Sequence, residues 1–102
     1  MRRGELWLAE VGRKKRPVLV LTRSAVIDAR DLVTVAEVTT SIRGLAAEVD
    51  FDHVETGSGR PSVVNCDGLH TVTQASLTGP VGQVSDDVMQ KVCSAVSYAL
   101  GC

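Results

Sequence analysis

Aromatic side chains are nearly missing from this chain: its 102 residues hold one Trp, one Phe and one Tyr. A surface that stacks successive bases of a single-stranded nucleic acid needs more aromatic faces, so Trp7, Phe51 and Tyr98 argue against a passive stacking platform. Trp7 is read as core. Cysteine is scarce too. Cys66, Cys93 and Cys102 form no CxxC pair and leave an odd thiol in any disulfide scheme. This argues against a zinc ribbon and against a stapled secreted framework. Reduced thiols are expected, with Cys66 and Cys93 packed as small hydrophobes. No apolar run approaches the roughly 20 residues of a membrane-spanning helix. Met1-Arg2-Arg3 leads into Gly4-Glu5-Leu6-Trp7 rather than into a signal-peptide apolar region. The expectation is a cytoplasmic protein without a membrane partner, cofactor or metal.

What the chain does have is 44% hydrophobic and 23% charged residues, the balance of one folded domain spanning residues 1 to 102. At this length burial is incomplete, and a second copy of the chain would help. The net charge of -1 hides an asymmetry: residues 1 to 30 hold eight of the eleven Lys/Arg and a net of +5, whereas residues 31 to 102 carry -6. Binding of a polyanion is therefore expected on a patch built by the N-terminal segment.

Hydrophobic periodicity predicts mostly strands. Glu5 to Glu10 reads as a first strand, and Pro17 to Thr22 as a second that is covered on both faces, Pro17 opening it and Val11 to Arg16 forming the hairpin loop. Leu32 to Thr39 alternates with period two, setting Val33, Val35 and Thr39 apart from Thr34 and Val38. Ala47 to Asp52 alternates again with Val49 and Phe51 inward, and Gly/Ser-rich ETGSGRP at 55 to 61 reads as a loop. Further strands are expected at 62 to 66, 70 to 73 and 79 to 84. Ser85 then caps a helix whose apolar residues Val88, Met89, Val92, Cys93, Val96, Ala99 and Leu100 recur at helical spacing before Gly101. The architecture implied is a small, mainly β, barrel-like domain with a C-terminal helix.

Read in order, the punctuation resembles the MazF-type toxin endoribonucleases of bacterial toxin-antitoxin modules. The resemblance rests on Gly4-Glu5-Leu6-Trp7, on Lys15-Arg16-Pro17-Val18-Leu19-Val20-Leu21, on Val38-Thr39-Thr40-Ser41, and on Ser62-Val63-Val64-Asn65-Cys66-Asp67-Gly68-Leu69-His70-Thr71-Val72. It implies an SH3-like barrel related to the CcdB toxin fold, a homodimer, and metal-independent cleavage of single-stranded RNA. It also implies a cognate antitoxin with an acidic, disordered C-terminal tail. The resemblance nominates Arg16, of the Arg-Pro pair, and Thr39, at the end of the third strand, as catalytic residues. The sequence departs from the family pattern at a short, almost wholly basic first loop and at His70, where the pattern has Arg.

Metal-free cleavage uses the substrate's own 2'-hydroxyl as nucleophile and leaves a 2',3'-cyclic phosphate and a 5'-hydroxyl. Arg16 suits the accumulating phosphorane charge, because its planar fork holds two phosphate oxygens and stays charged. Thr39 can donate to a nonbridging oxygen, and His70 carries the ring suited to moving a proton at neutral pH. Arg13, Lys14 and Lys15 are candidate phosphate contacts, and Thr40, Ser41, Asn65 and Asp67 complete the RNA-binding candidates, although Asn65 and Asp67 also read as organisers of the turn before Gly68. His53 has no constellation around it. The competing reading is a non-enzymatic, CcdB-like toxin that grips a protein such as DNA gyrase, for which Arg16 and Thr39 would be dispensable and the C-terminal helix essential.

Overall fold

A computed structural model describes residues 1–51 and 60–102. The chain runs β1 (Glu5–Val11), β2 (Lys14–Val20), α1 (Ser24–Ile27), β3 (Leu32–Thr39), β4 (Glu48–Asp50), β5 (Val63–Thr73), β6 (Leu77–Gln83) and α2 (Asp86–Leu100). The strands form one antiparallel sheet in the order β4-β5-β3-β2-β1-β6. This is the expected mainly β fold with a C-terminal helix. In its hydrogen bonding the sheet is open, with β4 and β6 at its edges.

Both faces of the sheet are covered, and the parity of side chains along β2 shows how. Leu19 points into a core shared with Leu6, Ala36, Val38, Val64, Cys66 and, from α2, Met89 and Val92. Val18 and Val20 point the other way, into a second cluster with Ile27, Val33, Val35 and Leu77. A strand buried on both sides must be apolar at successive positions, which is why Val18-Leu19-Val20 shows no alternation. Trp7 packs against the second cluster. Along β3 the faces divide as the period-two pattern predicts, Val33 and Val35 on one side and Ala36 and Val38 on the other.

Three boundaries differ from the sequence reading. The hairpin turn is only Gly12-Arg13: β2 begins at Lys14, with Lys14 opposite Val11, Lys15 opposite Glu10 and Arg16 opposite Ala9. Gly12 takes φ 64°, the left-handed conformation that a tight turn requires. A basic run reads as loop because charge avoids burial, but here the strand projects beyond the core and its cations stay exposed. Pro17 is thus inside β2 and not its first residue; it comes just before β3 begins pairing at Val18, where β2 has one neighbour and a missing N–H is tolerated. The strands expected at 62 to 66 and 70 to 73 are one long strand, β5, interrupted by a bulge. Against β3 it steps from Leu69, opposite Ala36, to Asn65, opposite Glu37, so Cys66, Asp67 and Gly68 have no partner there. The last strand starts at Leu77, earlier than the glycine pattern indicates.

The helix follows its signals closely. Ser85 Oγ accepts the Val88 N–H, Asp86 and Asp87 occupy the first turn, and Gly101 ends the helix at φ 74°. Met89, Val92 and Ala95 form its buried stripe. No helix among the described residues is long and apolar enough to cross a membrane. His53 and most of the 55 to 61 loop lie outside the described residues.

Candidate functional site

On the sheet face away from α2, a groove of about 470 Å³ is lined by residues of β1, β2, β3 and β5. Arg16, Thr39 and His70, three side chains far apart in sequence, line it together. Parity explains the convergence. Arg16 lies two positions before Val18 on β2, Thr39 four after Val35 on β3, and His70 two before Val72 on β5. Each extends past the second apolar cluster on the face that the cluster already defines. The floor is apolar, with Ala9, Pro17, Val18, Val35, Val38 and Val72, and the rim is polar.

Arg16 is exposed and, among the described residues, makes no ion pair, so its guanidinium is available to a ligand. The Thr39 hydroxyl accepts the N–H of Ser41 at 3.0 Å. That bond uses one lone pair and leaves the hydroxyl hydrogen to donate. His70 Nε2 lies 2.8 Å from Glu37 Oε1, within hydrogen-bond distance and a salt bridge only when the ring is protonated.

The other candidates are spread around this centre. Arg13 sits in the hairpin turn and Lys14 and Lys15 continue along β2, all exposed and beyond the groove. Thr40 and Ser41 leave the end of β3, where Ser41 fixes the Thr39 hydroxyl. Asn65 and Asp67 lie in the β5 bulge, where Asn65 Oδ1 accepts the Asp67 N–H at 3.1 Å, and neither lines the groove. The remaining basic residues divide: Arg3, Arg23 and Arg30 line a separate depression of about 650 Å³ with Leu21, Val92 and Val96. The N-terminal charge thus forms two patches instead of one, the first at the hairpin end of β2 and the second where Arg3, Arg23 and Arg30 gather beside α2. A third depression, of about 720 Å³ between α2 and β4, carries Glu48, Asp50 and Asp87 against Lys91 and repels a polyanion.

Two groove residues escaped the sequence reading, Glu10 and Glu37. A signal for Glu37 existed: it shares the parity of Val35 and Thr39, so the period that places Thr39 places Glu37 beside it. Among the described residues no group of three or more His, Cys, Asp or Glu side chains converges as metal ligands would.

Cys66, fully buried at the bulge, has its thiol pushed up to about 11, first by burial and then by the charges of Asp67 and Cys93. It packs as a small hydrophobe, as expected. Cys93 is exposed, contrary to the expectation that it would pack, because it lies beside the α2 stripe and not within it.

The family model described as "PemK-like, MazF-like toxin of type II toxin-antitoxin system" matches residues 2–100. Among similar proteins, "Probable endoribonuclease MazF5" of Mycobacterium tuberculosis is 41% identical over 103 residues, covering 98% of this chain and 93% of that protein. "Endoribonuclease MazF3" of the same species is 48% identical over 86 residues, 84% of this chain and 82% of its own. Among solved structures, the Mycobacterium tuberculosis toxin MazF-mt6 superimposes with a TM-score of 0.87 at 35% identity, over 95% of this chain and 96% of that one. MazF in the MazE-MazF complex from Deinococcus radiodurans gives 0.82 at 26% identity, over 99% and 95%.

Proposed function

Because this chain belongs to the PemK/MazF family of toxins from type II toxin-antitoxin systems, we propose that it is an endoribonuclease that cuts single-stranded RNA at short sequence motifs without a metal. The observation that carries this reading is the meeting of Arg16, Thr39 and His70, from three different strands, in one groove. In the reaction the 2'-oxygen attacks the adjacent phosphorus, the P–O5' bond breaks, and a 2',3'-cyclic phosphate and a 5'-hydroxyl result. Arg16 neutralises the charge that grows on the nonbridging oxygens, and Thr39 donates its free hydroxyl hydrogen to one of them. Both groups are carried on strands and not on loops. His70 moves a proton. Arg13, Lys14 and Lys15 contact phosphates along the hairpin, and Thr40, Ser41, Asn65 and Asp67 border the path of the RNA.

The toxin works as a cytoplasmic homodimer and is held inactive by a cognate antitoxin whose acidic, disordered tail covers the groove and the cationic hairpin beside it. The CcdB-like alternative, which would rest on α2, is not favoured by the family match. Incubation with a long single-stranded RNA in EDTA tests the proposal. Discrete fragments with 5'-hydroxyl ends are expected from the native chain, and none from Arg16→Ala, whose circular dichroism should match the native protein. RNA left intact across varied sequences would reject the reading.

A further inference from the structure

Glu37 stands where a carboxylate has no obvious place, on the wall of a groove meant for a polyanion. Three observations give it a purpose. Its Oε1 lies 2.8 Å from His70 Nε2, while the two side chains remain 48% and 52% exposed, so the pair is no part of the core and contributes little to stability. The strand register brings the two within reach: His70 pairs opposite Val35, so Glu37, two residues along β3, is its diagonal neighbour on the same face, and the bulge residues Cys66, Asp67 and Gly68 meet the step from Ala36 to Glu37. Gly68 lies beneath the carboxylate, where a Cβ would stand 2.5 Å from Glu37 Oε2. The missing side chain is the room that the carboxylate occupies.

We propose that Glu37 is a positioning residue that sets the tautomer of His70 and thereby makes His70 Nδ1 the general base of RNA cleavage. An ionised carboxylate only accepts hydrogen bonds, so the hydrogen between the two groups sits on Nε2. The neutral ring then carries its lone pair on Nδ1, the nitrogen that Glu37 does not engage. Nδ1 takes the proton of the 2'-hydroxyl as O2' bonds to phosphorus, and the imidazolium formed is stabilised by the carboxylate on its far side. The P–O5' electron pair departs with O5', which takes a proton from water; the hydroxide so formed collects the proton from the imidazolium and restores the neutral ring. Arg16 from β2, Glu10 from β1 and Thr39 from β3 are the other polar groups of the groove. Arg16, whose persistent charge makes it unsuitable as a base, keeps its role at the nonbridging oxygens.

The inference rests on the ribonuclease reading, and its test separates the two. Nitrogen-15 NMR of the native protein, at a pH where the ring is neutral, should show His70 mainly as the Nε2–H tautomer, and Glu37→Ala should turn it into a mixture. In steady-state cleavage Glu37→Ala should lower kcat about 10- to 100-fold with KM unchanged or lower, because a negative charge has left the path of the RNA. Glu37→Gln, which keeps an accepting oxygen without the charge, should fall between Ala and the native protein. A native ring protonated on Nδ1, a tautomer indifferent to Glu37→Ala, or native kcat in Glu37→Ala overturns the inference. If native protein still cleaves and Arg16→Ala does not, the nuclease reading survives that failure. If native protein leaves every RNA intact, both fall.

Discussion

Gly68→Ala moves a carboxylate without deleting it, and its outcome can be worked out in advance. The added Cβ would lie 2.5 Å from Glu37 Oε2 and 3.0 Å from Asn65 Nδ2, whereas ordinary contact begins at 3.4 Å. The Glu37 oxygen must therefore retreat by about 0.9 Å, being the free end of a flexible side chain. The two carboxylate oxygens move as one rigid group, so the 2.8 Å bond from Oε1 to His70 Nε2 is disturbed, and a retreat directed away from His70 lengthens it to as much as about 3.7 Å, beyond hydrogen-bond range. Misplacement of about 1 Å beside the reacting atoms costs up to about 100-fold in rate, so kcat for RNA cleavage should fall roughly 10- to 100-fold. Stability should hardly change. Gly68 is not among the glycines with positive φ, so Ala fits the backbone and gains about 0.4–1 kcal/mol from a less free unfolded chain. That offsets the loss of a half-exposed contact between His70 and Glu37, worth about 0–1 kcal/mol. The assay pairs initial cleavage rates with thermal unfolding. Native kcat in a Gly68→Ala protein of unchanged Tm would refute the chain of reasoning from bulge to tautomer.

Thr39→Val keeps the shape of the side chain and removes its donor, and should lower kcat on the order of 100-fold while the exposed Ser41 N–H turns to water; unchanged kcat would leave Thr39 a purely structural strand end. Cys66, with its thiol pushed up from 9.0 to about 11, is a group whose folded state favours the protonated form. Its contribution is complete below about pH 9 and is lost as pH rises toward about 11, up to about 3 kcal/mol, because the unfolded chain gives up the proton first. Urea unfolding of native protein against Cys66→Ala across that window should show the native advantage shrinking, and parallel pH curves would contradict it. Ser85→Ala removes the acceptor for the Val88 N–H and should cost about 1 kcal/mol, measured by denaturant midpoint.

How far the sequence discloses this molecule depends on whether a signal is local. The α2 boundaries, from Ser85 to Gly101, and the double-faced burial of Val18 to Val20 depend on neighbours in the chain and are readable there. Asn65-Cys66-Asp67-Gly68 carries the chemistry of a turn and reads as a break, yet pairing with β3 on both sides holds β5 together as one strand. Only tertiary pairing decides between turn and bulge. The contact of Glu37 with His70 is hidden as well, since an acid in an alternating strand looks like any solvated position. Arg16 and Thr39 could be nominated because their motifs are local, whereas their shared groove follows from the strand order.

The placement of Lys14 to Arg16 within β2, and not in a loop, ties the direction of Arg16 to a counting rule. Successive strand residues face opposite ways, so inserting or deleting one residue between the paired Arg16 and Val18 would swing the guanidinium through the sheet and out of the cleft. Changes at the Gly12-Arg13 tip leave that parity untouched. The hairpin can therefore lengthen or shorten at its end and vary its outer cations while its innermost one stays aimed, separating a surface free to diversify from a single arginine that is not.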